Sequence, residues 1–343
     1  MSSLPAAHPR KVTRKDVARY AGVSDAVVSY TLNGGSSVAP ATAARVREAV
    51  RLLGYTPNAS ARALKMGSAR LIGVIVPDSS NPFFAELCQA VEAAAGPAGY
   101  EVLVVNSDDT KTRTLQHIQS LASRQVDGVL IATAVDETDV PALRAAGMRW
   151  ALLNHATSLE DALTVGMDLE AGARLATQHL VDHGYRRIAF IGQAHPDDAR
   201  YRGWRSVMAQ SGLEPGPTFF SPYTRPGGYS AGLELVALKR RPDAVFISSD
   251  MQSVGALRAL HETGVDCPGD LAIVSFDGSP ESEYSWPPLT TIRQPVLAMG
   301  AAAVEQLTGK SPAPHDHRRF EGELVIRRSC GCSPADGAAP LAT

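Results

Sequence analysis

Apolar positions in the first 55 residues recur every three to four places, whereas from Leu71 onward they gather into short runs separated by amphipathic stretches. In the first region Val17 and Ala21 share one face, Val28 and Leu32 another, and Val46, Val50 and Leu53 a third, which predicts three short helices. Thr13 is placed to cap the first, with Asp16 near its positive end; Gly22 breaks it, and Ser24 can cap the second. The third, from about Pro40 to Leu53, starts weakly because Ala39 stands where Ser or Thr is favoured. Two short helices joined by a glycine-containing turn and closed by a third make a helix-turn-helix.

The later runs are Leu71–Val76, Val102–Val105, Gly128–Ile131, Trp150–Leu153, Ile188–Ile191, Ala244–Ile247 and Ala272–Ser275. Alternation of such runs with helical patterns predicts parallel sheets built from βαβ units, and so an α/β body behind an all-α N-terminal module. One doubly wound domain and two lobes both satisfy this pattern.

Charge sharpens the division. Residues 1–70 hold eleven Lys or Arg against three acids, a net +8, which leaves −10 for the remainder of a chain whose total is −2. A basic module on an acidic body points to a polyanion as partner of the first segment only. The start of the chain has no apolar stretch suited to a signal peptide and no run long enough to span a membrane, so a cytoplasmic protein without membrane contact is expected. Four cysteines in 343 residues are too few for a disulfide framework and are read as reduced thiols.

On the second helix Asp25, Ala26, Ser29 and Tyr30 lie away from the Val28/Leu32 face, at the end that a recognition helix presents to base edges. Ser24, Ser29 and Asn33 offer short donors to phosphates, and Thr13 is counted with them at the DNA interface. The segments Val12 to Ser24, Val28 to Asn33, Gly54-Tyr-Thr-Pro-Asn58 and Ala61-Arg-Ala-Leu64 together resemble the LacI family of bacterial regulators, and the likeness continues to about residue 328. It implies a DNA-binding regulator, read here as a repressor, controlled by a small-molecule effector and acting as a homodimer on a two-fold double-stranded operator.

The resemblance also implies an arrangement: 1–11 disordered, 12–57 the helix-turn-helix domain, 58–70 a hinge helix and linker. The body, 71–330, then resembles the type I periplasmic binding proteins, with one lobe from 71–166 and 293–319 and the other from 167–292 and 320–330; the tail at 331–343, with two prolines and no heptads, is expected to be disordered. In the hinge, Asn58, Ala61 and Leu64 match DNA-contacting positions, Leu64 as a minor-groove wedge; so short a helix of Ala and Arg folds only with help from its partner. Tyr30 departs from the Arg common in relatives, and Tyr cannot read guanine through two hydrogen bonds.

Ligands of open α/β sheets lie beyond the carboxyl ends of strands. After the first strand comes Pro77 to Phe84, where Asn81 is polar and Phe83 and Phe84 offer rings; Phe83 matches an effector-packing ring in the family. Arg200 matches an arginine that holds effector oxygens, with Arg202 its near neighbour, and Asp250 and Asp277 match cleft positions. Asp250 fits equally as a cap for the helix beginning near Met251, and Trp286 either lines the cleft or covers a crossover. A sugar or sugar derivative is the preferred effector, a nucleobase or nucleoside the alternative.

No G-x-G-x-x-G, P-loop or G-x-S-x-G is present, so neither an enzyme nor a cofactor is expected. His315, His317, Cys330 and Cys332 amount to four zinc ligands, yet H-x-H with C-x-C is not a usual structural pattern; they are read as free surface groups and no metal is expected.

Overall fold

The computed structural model describes residues 12–32, 38–56, 67–155, 159, 162–193, 198–309 and 317–332. The chain divides into two compact units between Ala69 and Arg70.

In the first unit α1 (Arg14–Ala21), α2 (Asp25–Leu32) and α3 (Pro40–Leu53) close around Val17, Ala18, Ala21, Val28, Val46 and Ala49. The Asp16 carboxylate reaches back to accept from the Thr13 amide at 2.9 Å and hydroxyl at 2.6 Å, fixing the start of α1. Gly22, with φ of 64°, ends it in the left-handed conformation that only glycine adopts cheaply. The Ser24 hydroxyl accepts from the Val27 amide at 3.3 Å, and Ala39 contributes no side-chain cap to α3.

The second unit carries two six-stranded sheets. The first contains β1 (Leu71–Val76), β2 (Glu101–Asn106), β3 (Gly128–Ile131), β4 (Arg149–Leu153), β5 (Leu163–Met167) and β11 (His317–Phe320), ordered 11-5-4-3-1-2 and parallel throughout. The second contains β6 (Ile188–Gly192), β7 (Thr218–Phe220), β8 (Ala244–Ile247), β9 (Ala272–Asp277), β10 (Thr290–Arg293) and β12 (Glu323–Val325), ordered 12-10-9-8-6-7. Here β12 alone runs antiparallel, against β10. Strands β3, β6, β8 and β9 are buried along their full length, as strands covered on both faces must be, which is why their sequences are continuous apolar runs.

Helices α4 (Pro82–Ala95), α5 (Lys111–Ser123), α6 (Val140–Ala145) and α12 (Val296–Thr308) serve the first sheet. Helices α7 (Leu169–Asp182), α8 (Ala199–Gln210), α9 (Arg225–Val236), α10 (Asp250–Glu262) and α11 (Pro280–Tyr284) serve the second. The chain thus changes sheets at Asp168, at Gln294 and at 321–322, against changes expected at 167, 293 and 320. Met167, the last residue of β5, is 1% exposed and crowds the space that a Cβ on Gly172 or Gly322 would need, so the core runs unbroken through the first crossing. No helix among the described residues is long and apolar enough to cross a membrane.

The segment after residue 328 does not behave as a loose tail up to Cys332. Cys330, expected at the surface, has no exposure, because Tyr185 donates to its carbonyl at 3.2 Å and Ser329 beside it bonds Ile273. Residues 333–343 lie outside the described residues.

Helices α9 and α10 touch through glycines: a Cβ on Gly255 would fall on the Arg225 carbonyl, and one on Gly228 on the Gln252 carbonyl. Backbone cannot yield as a flexible side chain does. Gly255→Ala should therefore cost about 1–3 kcal/mol of stability, seen as a lower midpoint in denaturant with unchanged slope. An unchanged midpoint would show that the two helices separate freely.

Candidate functional site

In the N-terminal unit α2 turns Val28 inward and leaves Ala26 exposed, while Tyr30 stands 58% exposed. Ser29 is half-buried on the same helix. Asp25 is engaged: the Arg14 fork donates to its two oxygens at 2.7 and 2.5 Å. That hydrogen-bonded pair raises the pKa of the arginine and lowers that of the aspartate. A carboxylate already satisfied by an arginine is not an idle base reader, so Asp25 first sets how much cation this face presents. Asn33, Asn58, Ala61 and Leu64 lie outside the described residues.

In the second unit the carboxyl ends of β6 to β10 converge on Arg200, at the start of α8. Asp198 caps this helix, accepting from the Arg200 amide at 2.7 Å and the Tyr201 amide at 3.3 Å. Its second oxygen accepts from the Tyr223 hydroxyl at 2.9 Å, and that hydroxyl accepts from Arg200 Nη1 at 2.8 Å. Nη2 lies 3.8 Å from Asp277 Oδ1, and the guanidinium stacks over Phe276 at 4.8 Å. Phe276, Phe246, Phe190 and Trp204 form one buried chain of rings that carries this support into the core. Arg202, two residues on, pairs instead with Glu170 near the surface. Of the two arginines only Arg200 faces the strand ends.

Burial works against the Arg200 charge, and Tyr223, Asp277 and Asp198 more than offset it, so its pKa is raised. Burial likewise pushes the Tyr223 hydroxyl up to about 12. Asp277 is raised by burial and drawn back by Arg200. It also adopts φ of 110°, a costly conformation for a residue with a Cβ. Gln294, at the second crossing, donates its side-chain amide to Asp277 Oδ1 at 3.0 Å and its main-chain N–H to the Asp277 carbonyl at 3.1 Å. Arg200 Nε and Gln294 Oε1 are buried without a protein partner. These two unmatched groups give the cluster capacity for a polar ligand.

Asp250 differs. Oδ1 accepts from Ser275 at 2.6 Å and Thr291 at 3.0 Å, while Oδ2 accepts from the Ser279 amide at 2.7 Å and hydroxyl at 2.9 Å. It therefore neither caps α10 nor keeps an unshared oxygen for a ligand. It ties β9, β10 and α11 together.

In the first lobe α4 begins after β1, and there the Asn81 side chain accepts from the Phe83 amide at 3.1 Å. Glu86 on that helix is close enough to Arg293 and Asp250 of the second lobe to feel both charges, although burial dominates in raising its pKa. Phe83, expected to present a flat wall, is 3% exposed: it shares the inner face of α4 with Leu87 and meets Phe84 edge-on at 5.1 Å. Phe84 is the half-buried ring of the two. Trp286 is 82% exposed and covers no crossing.

Sequence reasoning missed Tyr223, Asp198 and Gln294, and in the first lobe Ser107, Thr133 and His155. The Ser107 hydroxyl donates to Thr133 at 3.0 Å, Thr133 to Asp109 at 3.1 Å, and the His155 ring meets the Thr133 carbonyl at 3.0 Å. Asp198, Ser107, Thr133 and His155 follow strands already visible as apolar runs, so applying the strand-end rule to every such run would have found them; Tyr223 and Gln294 follow β7 and β10, which were not visible.

Residues 13–58 match the lacI family of bacterial regulatory proteins, and residues 177–330 match a periplasmic binding protein-like domain. The chain is 33% identical to an HTH-type transcriptional repressor, PurR, of Photobacterium profundum, over 92% of this chain and 98% of that one. It is also 33% identical to the ribose operon repressor of Escherichia coli, over 88% and 94%. The lac repressor dimer bound to operator and an anti-inducer superposes with a TM-score of 0.83 at 27% identity, covering 94% of this chain and 99% of that one.

Burial drives the His155 imidazole down to about 4, whereas an unfolded histidine titrates near 6.5. The unfolded chain therefore binds more protons between these values. Stability from neutral His155 is present above about pH 6.5 and is lost as pH falls toward about 4. With the residue as a whole half-buried, this amounts to about 2 kcal/mol. His155→Gln should flatten the pH dependence of the unfolding free energy in that window; an undiminished slope would assign it to other groups.

Proposed function

The chain belongs to the LacI family of bacterial regulatory proteins, and from that membership we propose a cytoplasmic homodimeric repressor whose hold on a two-fold operator is set by a sugar or sugar derivative in the Arg200–Asp277 cleft. It is a sequence-specific DNA-binding transcription regulator, as its relatives are, and not an enzyme.

The observation that carries the effector class is the pairing of a forked donor with a carboxylate acceptor. Arg200 donates to ligand oxygens, Asp277 accepts from hydroxyls, and Gln294 can do both, which matches the vicinal hydroxyls of a sugar. Asn81 and Phe84 from the first lobe complete the cleft in this reading, and Asp250 holds β9 and β10 in place without touching the ligand. A ligand gripping Asp277 also acts on Gln294, where the chain passes between lobes. Differential binding to two lobe angles would then couple the cleft to the DNA-binding unit.

Thermal-shift screening of the purified protein with ribose and other sugars, and with purines, identifies the class. Arg200→Ala and Asp277→Asn should each weaken the sugar found by about 1.5–3 kcal/mol, roughly 10- to 150-fold, and leave operator affinity intact. Calorimetry showing unchanged affinity in both variants would remove the ligand from this cleft; a response to purines alone would replace the sugar.

On the DNA side Asp25 holds back one cation of the basic face. Asp25→Asn should release Arg14, tighten binding to non-specific duplex and steepen the plot of log affinity against log salt by about one unit. Anisotropy titrations at several salt concentrations read this slope. A slope equal to that of the parent protein would mean that Arg14 already reaches phosphate.

A further inference from the structure

At the opposite ends of the second-lobe strands, where Tyr185 leads into β6 and Ser329 meets the start of β9, two histidines and two cysteines come together. His179 lies on the last turn of α7 and His183, four residues on, is the residue that caps its C-terminus, so their rings share one face, with centroids 4.6 Å apart. Cys330 and Cys332 flank Gly331, whose φ of 91° turns the chain sharply between them. His183 Nε2 lies 3.0 Å from Cys332 Sγ, and His179 Nε2 lies 3.7 Å from the same sulfur. The four donor atoms all fall within 4.8 Å of one another.

We propose that His179, His183, Cys330 and Cys332 form a tetrahedral Cys2His2 site for Zn2+ that fastens the C-terminal segment to α7. Zinc bonds of about 2.0–2.1 Å to nitrogen and 2.3 Å to sulfur place neighbouring ligand atoms about 3.3–3.8 Å apart, so small side-chain adjustments close this cluster around an ion. The donor set suits zinc: two thiolates and two imidazoles, a combination common at structural sites. Its frame is rigid. Thr290 Oγ1 lies 3.1 Å from Cys330 Sγ, Ser329 Oγ accepts from the Thr290 amide at 2.9 Å, and Tyr185 lies parallel to the His183 ring at 6.2 Å. His183 is exposed and gives the ion a way in, whereas Cys330 is sealed inside. A closed four-ligand site far from the strand ends that hold Asp277 leaves no open position for catalysis, so its role is structural. The sequence-level grouping with His317 does not form, because His317 lies on β11 in the other sheet, and His315 lies outside the described residues.

The test uses the full chain, stripped with chelator under reductant. One equivalent of Co2+ should give the intense ligand-field bands of a tetrahedral ion together with thiolate charge transfer, and Zn2+ should displace it at one ion per chain. Zn2+ should also raise the melting temperature of the parent protein. His183→Ala, at an exposed position that leaves the fold intact, and Cys332→Ser should each lose more than about 100-fold in metal affinity, beyond the cost of removing an outer partner, and should lose the thermal response. His317→Ala should behave as the parent does. Substoichiometric binding, an octahedral Co2+ spectrum, affinity undiminished in both site variants, or a Cys330–Cys332 disulfide in protein kept under reductant would each overturn the site.

Discussion

A guanidinium with 9% exposure must find its counter-charge inside the protein, and the second lobe is arranged around meeting that demand for Arg200. Desolvating an arginine costs several kcal/mol unless neighbours replace the lost water. Asp198 answers while also capping α8, Tyr223 passes the interaction along, Phe276 lies beneath the plane, and Asp277 supplies the second carboxylate. These groups come from the carboxyl ends of three strands, β6, β7 and β9. Shifting any one strand by a residue would strand the charge, so the register of the sheet and the geometry of the cleft are one constraint.

Two carboxylates a short distance apart show how the same group is put to different ends. Asp250 is saturated by four donors from Ser275, Ser279 and Thr291, and a saturated carboxylate is a fastener. Asp277 is hydrogen-bonded by Gln294 and paired at longer range with Arg200, and its backbone is held at positive φ. Such strain persists only where the surroundings over-determine it. Gln294 provides that, gripping Asp277 by main chain and side chain at the point where the chain leaves for the first lobe.

Most of the seven apolar runs were legible in the sequence because strands buried on both faces, such as β3, β6, β8 and β9, have no polar positions to interrupt them; β2, at the sheet edge, was legible through its run of Val and Leu alone. Strands β5, β7, β10, β11 and β12 were not, being short, polar or interrupted: Leu163–Met167 carries Thr164 and Gly166, Thr218–Phe220 has three residues, and His317–Phe320 carries two arginines on an edge. With β7 unseen, Tyr223 beyond its end had no reason to be noticed. Family likeness placed Asp250 in the cleft, but its partners lie 25 to 41 residues further along, and nothing in local spacing reveals side chains that converge through tertiary structure. The same holds more strongly for His183 and Cys332, which are 149 residues apart and meet only because β12 returns the chain to the second sheet.

That return bears on how the lobes can move. Helix α7 begins at the first crossing, where Asp168 donates its amide to the Phe320 carbonyl at 2.9 Å and meets Arg319 at 3.4 Å, so the first and third crossings are bound to each other. Its far end carries His179 and His183. An ion joining those histidines to Cys330 and Cys332 would tie the far end of α7 to the segment that follows the third crossing, as Asp168 ties its near end to the residues just before that crossing. Two of the three strands between lobes would then leave the second lobe from one stiff block, and the third, at Gln294, would leave it beside the ligand. Relative motion of the lobes becomes a rotation about that block, with the Gln294 crossing as the element a bound ligand can displace, which is the hinge behaviour of two packed bodies joined by a few terminal residues.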